Sequence, residues 1–319
     1  MYKIKTINDK QKWDNFISSS PQNNIFFKSF FLETFKTIEK KMIFKGSEPK
    51  ACITLITDDK KKNIVDNDII IHSGIIFSKD FSENTASTSI EKYKLTEFFV
   101  NYLSKNFKKI LLNTSPGIDD IRPFLWFNYG KKKNTFHVYP KYTLYLNLKY
   151  LNNELENNKL FKKMSTLRRR LIRVGLKNKN KVVFIKDIDF LIKNYKTYME
   201  AQNAKIPKEK FIKMKQLLKY LESCNKLLIQ VSYNNDGSKG YILAFAIDDY
   251  KSYYLYGCPL SKKVDNHLGS YSFWKMFLKL KEKKIREVDF EGINSPSRGL
   301  FKQSFGGDSK IYFEIEAQR

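Results

Sequence analysis

Hydrophobic positions along the chain switch repeatedly between a two-residue and a three-to-four-residue period, which predicts strands alternating with helices. Asn8–Ser18 reads as a short helix with Pro21 beyond its end. Ala51–Thr57 and Asp68–His72 read as strands, separated by the polar loop Asp58–Asn63. Glu91–Lys105 has helical spacing, and Ile110–Asn113 is a short strand. Thr135–Leu148 alternates through Val138, Tyr142, Leu144 and Leu146 as a long strand. The chain turns polar at Tyr150–Asn158. Leu160–Lys177 follows as an amphipathic helix whose stripe Leu160, Met164, Leu167, Leu171 and Val174 is expected to face the core. From there the order reads β-α-α-β-β-β-α-β: Lys181–Lys186, Asp189–Asn203, Lys208–Glu222 behind Pro207, the hairpin Lys226–Tyr233 and Lys239–Asp248, Ser252–Gly257, Leu268–Lys284 and Arg286–Phe290. Ile311–Glu316 reads as a last strand. The fold class this predicts is α+β, in two domains. The first covers residues 1–149 and is completed by 308–319; the second covers 150–307.

Composition supports a packed chain. Of 319 residues, 42% are apolar, with 26 Phe and 19 Tyr, which excludes a disordered protein. No apolar run reaches the roughly 20 residues that span a bilayer. Met1–Lys12 lacks a secretory apolar core, so a cytoplasmic location is expected. Three scattered cysteines and three scattered histidines predict neither a disulfide framework nor a structural metal.

The formal charge of +26 adds a candidate partner class: tRNA, a nucleotide-linked substrate or an anionic membrane. Codon usage is the competing source, since only eight of the 59 basic residues are arginine. That bias does not account for Lys159–Lys186. This tract has eleven basic residues and no acidic one, and includes Arg168, Arg169, Arg170 and Arg173, whose guanidinium forks suit phosphates.

Three further segments carry candidate chemistry. Tyr254, Tyr256 and Gly257 precede Leu268, Gly269 and Ser270 at a helix start, where free N–H groups suit an anionic donor. Glu291-Gly292 and the stretch Arg298-Gly299-Leu300-Phe301-Lys302-Gln303-Ser304-Phe305-Gly306-Gly307 read as a glycine-dense loop that lets backbone approach a ligand. Phe26, Phe27, Phe30 and Phe31, with Lys28 and Lys36, form an aromatic and basic cluster, mostly core. There is no G-x-S-x-G, P-loop or G-x-G-x-x-G, so an enzyme here works by direct attack rather than through a covalent intermediate.

Phe301-Lys302-x-x-Phe305-Gly306-Gly307 resembles the F-K-x-x-F-G-G closing motif of the FemABX aminoacyltransferases and their GNAT relatives. Val288-Asp289-Phe290-Glu291-Gly292, Tyr254-Leu255-Tyr256-Gly257 with Leu268-Gly269-x-Tyr271-x-x-Trp274, and Ser165-x-x-Arg168-x-x-Leu171-Ile172-Arg173 are similar to other segments of that family, in the same order. The likeness is strongest from Lys141 to Gly307. It implies two tandem GNAT-like acyl-N-acyltransferase domains and amide formation on an amine of a nucleotide-linked envelope precursor, a muropeptide or amino sugar. The donor it implies is aminoacyl-tRNA or, in broader relatives, acyl-CoA, with no tightly bound cofactor. It places Lys302 at the donor or transition-state site beside Phe301, and Tyr256 on the cleft wall. Glu291 or Asp289 is the candidate proton acceptor, with Tyr254, Arg298, Lys36, Arg168, Arg169 and Arg173 toward the substrate and Gly257, Leu268, Gly269 and Ser270 toward the donor. Lys302→Ala is expected to lower turnover and leave the fold intact. Ile206–Phe211 lacks the Arg and Tyr expected for a muropeptide, which leaves the acceptor open. The alternatives are an acyl-CoA-dependent enzyme of surface polysaccharide synthesis and a non-catalytic tRNA- or membrane-binding module.

Overall fold

The computed structural model describes residues 1–67, 69–131, 133–152, 154–155, 158–261 and 265–318. The elements run β1 (Tyr2–Thr6), α1 (Lys10–Ser19), α2 (Ser29–Leu32), β2 (Ile38–Lys45), β3 (Glu48–Ile56), β4 (Gly74–Phe77), α3 (Thr85–Asn106), β5 (Lys109–Asn113), α4 (Arg122–Leu125) and β6 (His137–Asn147). They continue with α5 (Lys159–Lys163), α6 (Thr166–Lys177), β7 (Lys181–Ile185), α7 (Ile188–Ala201), α8 (Lys208–Ser223), β8 (Leu227–Tyr233), β9 (Gly240–Ile247) and β10 (Lys251–Pro259). The last are α9 (Asn266–Glu282), β11 (Glu287–Gly292), α10 (Pro296–Gln303) and β12 (Asp308–Gln318). The class is α+β.

The chain divides into two compact units, Met1–Tyr142 with Lys310–Arg319, and Thr143–Ser309. The N-terminal unit holds an antiparallel sheet in the order β1-β2-β3-β4 and the antiparallel pair β5 and β12. Its core packs Leu95, Phe99 and Leu103, one apolar face of α3, on Ile53 and Leu55 of β3, Leu112 of β5 and Ile315 of β12.

In the C-terminal unit the order is β6-β11-β10-β9-β8-β7. Only the β10–β11 pair is parallel among these. The two faces of β9 explain its unbroken apolar run. Leu243, Phe245 and Ile247 pack with Phe273 and Phe277 of α9, while Ile242 and Ala244 pack with Leu191 of α7 and Leu218 of α8. Both faces are therefore buried, and polar alternation disappears.

The structure departs from the sequence reading at several elements. The strand expected at Asp68–His72 is not one. Residue 68 lies outside the described residues, residues 69–73 are irregular, and the strand is β4. β1 and β2 carry lysines along their length and escaped the apolar signal. The helix α3 begins at the Asn84 cap, whose side chain accepts from the Ser87 N–H at 2.9 Å.

The helix expected over Leu160–Lys177 is two helices. Met164 is extended, and Ser165 caps the second by accepting from the Arg168 N–H. Of its expected core stripe, Leu160 and Met164 are buried, but the part on the second helix is displaced. Leu167 is 52% exposed and Val174 37%, whereas Arg168, Ile172 and Gly175 are buried. Gly175 decides this facing: a Cβ there would stand 2.6 Å from Cβ of Tyr271, so α6 meets α9 backbone to ring. The glycine-dense loop expected at the end is the helix α10 followed by a turn.

Candidate functional site

The site follows from two strands that cease to pair. β10 and β11 run in parallel register only from Lys251↔Glu287 to Tyr253↔Asp289. Beyond that both are irregular: β10 bulges against β9 between Tyr254 and Tyr256, and β11 against β6 between Asp289 and Gly292. A bulge bends a strand and re-aims its side chains. The two strands diverge at their C-terminal ends, where ligands bind in sheets with parallel strands.

A cavity of about 310 Å³ opens there, at the lower limit of small-molecule sites. Tyr254, Leu255, Tyr256 and Gly257 of β10 form one wall and Tyr241 of β9 extends it. Tyr195, Tyr198 and Met199 of α7 form another. Glu291 projects from the β11 bulge, and Ser297, Arg298, Phe301 and Lys302 of α10 close the site. All of these residues belong to the C-terminal unit.

Glu291 sits at φ 56°, in the left-handed region that a residue with a Cβ rarely adopts. Its backbone N–H donates to Asp289 Oδ1 at 2.7 Å, and the same oxygen accepts from Thr143 Oγ1 at 2.6 Å. Asp289 is thus the brace of the bulge rather than a wall of the cavity. It is wholly buried, and Oδ2 has no hydrogen-bond partner among the described residues. Burial raises its pKa to about 6. Burial, with the Asp289 charge adding to it, also raises Glu291 well above the usual carboxylate range. Glu291 Oε1 is buried without a partner among the described residues.

Lys302 faces these carboxylates. Its Nζ donates to the carbonyls of Phe290 at 2.7 Å and Gly292 at 2.9 Å, straddling the bulge, and lies 5.4 Å from the Tyr254 ring centre. Desolvation lowers its pKa, and the charges of Glu291 and Asp289 oppose that shift. An acid pushed up beside a base pushed down is the pattern by which burial marks sites of chemistry.

The glycines of the closing segment serve packing, not a ligand. Gly306 is at φ 80°, and a Cβ on it would stand 2.6 Å from the Lys163 carbonyl; one on Gly307 would stand 2.7 Å from the Tyr145 carbonyl. Cβ on Gly299 would collide with the Ile293 carbonyl. The chain's own backbone occupies the space that a ligand was expected to take.

Three solved structures share this architecture at low sequence identity. FemX matches with a TM-score of 0.65 and 13% identity over 98% of this chain and 96% of its own. A tandem GNAT protein from the clavulanic acid biosynthesis pathway matches at 0.54 and 8%, over 99% and 98%. L-PGS from Bacillus licheniformis matches at 0.53 and 12%, over 97% and 92%. The fold is FemX-like, a tandem GNAT. No protein-family model and no curated protein matches the sequence.

Within this FemX-like fold, seven of the sequence-derived residues meet at one cavity: Tyr254, Tyr256, Gly257, Glu291, Arg298, Phe301 and Lys302. The others lie elsewhere. Arg168 is buried beneath α10, stacked 4.2 Å from the Phe301 ring centre and 4.8 Å from that of Phe305. Its Nε donates to Ser304 Oγ at 2.9 Å, and its Nη1 donates to Ser270 Oγ. Desolvation lowers its pKa to about 10. Arg168 and Ser270 therefore tie α6, α9 and α10 together, and Leu268 is core. Gly269 packs against Tyr241, with 3.3 Å from an added Cβ to the ring. Arg169 reaches Thr166, and Arg173 stacks outside Phe161. Lys36 is exposed in the N-terminal unit.

Sequence reasoning missed Tyr195, Tyr198 and Tyr241. The first two are three residues apart and share a face of α7, a signal that looks the same as core spacing. Tyr195 meets Tyr256 with ring centres 5.2 Å apart and planes tilted at 58°, which a sequence does not reveal.

Proposed function

We propose that this chain is an N-acyltransferase that forms an amide by direct aminolysis. The reading is carried by Glu291: a carboxylate of raised pKa whose buried Oε1 has no hydrogen-bond partner among the described residues, held in a left-handed bulge on the cavity wall beside Lys302. Structure of that kind is strained and persists where surrounding contacts enforce it, often at sites of chemistry.

The steps use this chain's own groups. The acceptor amine attacks the donor carbonyl, and its proton passes to Glu291, whose pKa, raised by burial, makes the carboxylate a stronger base than an exposed one. The C–N bond forms as the donor C–O or C–S bond breaks, and the leaving alcohol or thiol departs with a proton. The third N–H of Lys302, not committed to Phe290 and Gly292, faces the developing oxyanion. Leu255, out of register at the β10 bulge, also lines the cavity. Arg298 supplies charge for a phosphate-bearing substrate, and Tyr195, Tyr198 and Tyr256 present ring faces.

The donor is an aminoacyl-tRNA or an acyl-CoA, and the acceptor an amine on a nucleotide-linked envelope precursor, a muropeptide or an amino sugar. The FemX-like fold supports this class. The test incubates the purified chain with labelled acetyl-CoA or labelled aminoacyl-tRNA, together with a UDP-linked muropeptide or UDP-amino sugar, and follows amide product by mass spectrometry. Product with one donor names the donor. No transfer from either, with a folded protein, removes the proposal.

A further inference from the structure

The segment 122–133 carries a pattern that the acyl-transfer site does not use. Its sequence, Arg-Pro-Phe-Leu-Trp-Phe-Asn-Tyr-Gly-Lys-Lys-Lys, has four basic residues and no acidic one. Phe124 is buried in the core of the N-terminal unit and Phe127 packs against it, so the segment is anchored. The intervening apolar residues point the other way. Leu125 is 51% exposed, Trp126 48% and Tyr129 83%. Asn128 at φ 55° and Gly130 at φ 76° turn the chain there.

The helix α3 extends the patch. Ile90 is 55% exposed, and one turn on, Tyr93 meets Trp126 with ring centres 5.9 Å apart. The Arg122 guanidinium stacks on both rings, 5.4 Å from Tyr93 and 5.3 Å from Trp126. Lys94, Lys131 and Lys133 stand exposed around the patch. Of the acidic residues nearby, Asp120 is paired with Arg122 at 2.7 Å, while Asp119 and Glu97 are exposed at the margin.

We propose that this surface, Ile90, Leu125, Trp126 and Tyr129 ringed by Lys94, Lys131 and Lys133, docks the protein on an anionic lipid bilayer. Indole and phenol rings favour the headgroup level, aliphatic tips enter the acyl boundary, and lysines meet lipid phosphates. The aliphatic members distinguish it from a nucleic-acid surface, which is polar and positively charged throughout. The positive rim complements an anionic leaflet, and the whole chain carries +26. The inference does not depend on acyl transfer, because its test reads binding alone.

The test compares the full chain with the triple variant Leu125→Ala/Trp126→Ala/Tyr129→Ala, which leaves net charge unchanged. Both are sedimented with vesicles of phosphatidylcholine alone or mixed with phosphatidylglycerol, at physiological salt. The wild-type chain is expected to pellet with the mixed vesicles only, and the triple variant to lose about tenfold or more of that partitioning. Lys131→Glu/Lys133→Glu is expected to weaken it too. Trp126 also reports directly: Trp13 is 0% and Trp274 1% exposed, so a blue shift of tryptophan fluorescence on vesicles comes from Trp126. Circular dichroism and melting temperature, unchanged in the variants, show that folding is kept. A triple variant that pellets like wild type assigns binding to bulk charge and overturns the proposal. So does a wild-type chain that ignores vesicles while the same variants lose affinity for tRNA, or lose self-association.

Discussion

At the scale of single residues, the bulge that carries Glu291 is the decisive feature. A left-handed glutamate costs on the order of 1–2 kcal/mol, and Asp289, Thr143 and Lys302 together enforce it. Glu291→Gln is expected to lower turnover by roughly 10²- to 10⁴-fold. In the wild type, activity should rise as pH passes upward through the raised Glu291 pKa, because only the ionised carboxylate accepts the amine proton. A Glu291→Gln enzyme that kept this limb of the pH–rate profile would remove Glu291 as the base. Lys302 is a different case from the one the sequence suggested. Its ammonium holds two carbonyls of the bulge, so Lys302→Ala should lose stability as well as turnover, by about 1–3 kcal/mol, measured by urea unfolding. Asp289 makes stability depend on pH. Its folded pKa of about 6 lies above the 3.8 of a free aspartate, so the native state favours the protonated form. That contribution is complete below pH 3.8 and is lost as pH rises through 6, an amount of about 3 kcal/mol. Asp289→Asn should flatten the dependence of unfolding free energy on pH across that window; an unchanged slope would assign it to other groups.

At the scale of elements, the closing F-K-x-x-F-G-G segment and α6 act as one packed unit. Ser304 holds the start of α6 through its carbonyl, which accepts from the Ser165 N–H at 3.0 Å, and Arg168 returns a bond to the Ser304 hydroxyl. Gly175 lets α6 approach Tyr271 on α9. Gly175→Ala would gain up to about 1 kcal/mol of helix propensity but incur about 1–3 kcal/mol of overpacking. A net loss of stability is expected, read as a lower denaturant midpoint. Periodicity alone placed the apolar stripe of this helix on the wrong face, for a physical reason. A buried arginine stacked on Phe301 and Phe305, and a glycine against a ring, are core contacts that a hydrophobic scale does not register.

At the scale of the whole molecule, the chain returns to its N-terminal unit at its end. β12 pairs with β5, and Ile315 and Ala317 sit in the core of that unit. Ile315→Ala should cost about 2–5 kcal/mol, and truncation before Lys310 should cost more, both read as a lowered melting temperature of the N-terminal unit. Among the described residues no helix is long and apolar enough to cross a membrane. The proposed bilayer contact therefore rests on exposed side chains of α3 and the 122–133 segment.

The order of elements was legible without coordinates wherever one face of an element is buried and the other wet. The hairpin of β8 and β9, the long strand β6 and the helices α7 to α9 follow from apolar spacing within the chain. The tandem GNAT class was also legible, from the resemblance of its motifs, and the fold match to FemX at 13% identity agrees with it. Strands with lysine-rich exposed faces, such as β1 and β2, left no such trace. The cavity itself was decided by tertiary structure. It exists because two parallel strands stop pairing at Tyr253 and Asp289, and because bulges turn Glu291 and Leu255 out of register. Whether a glycine serves a ligand or a neighbouring carbonyl, and whether a lysine is free or braces a strand, depends on atoms far away in sequence. Local pattern has no access to those atoms; folding brings them within 3 Å of one another.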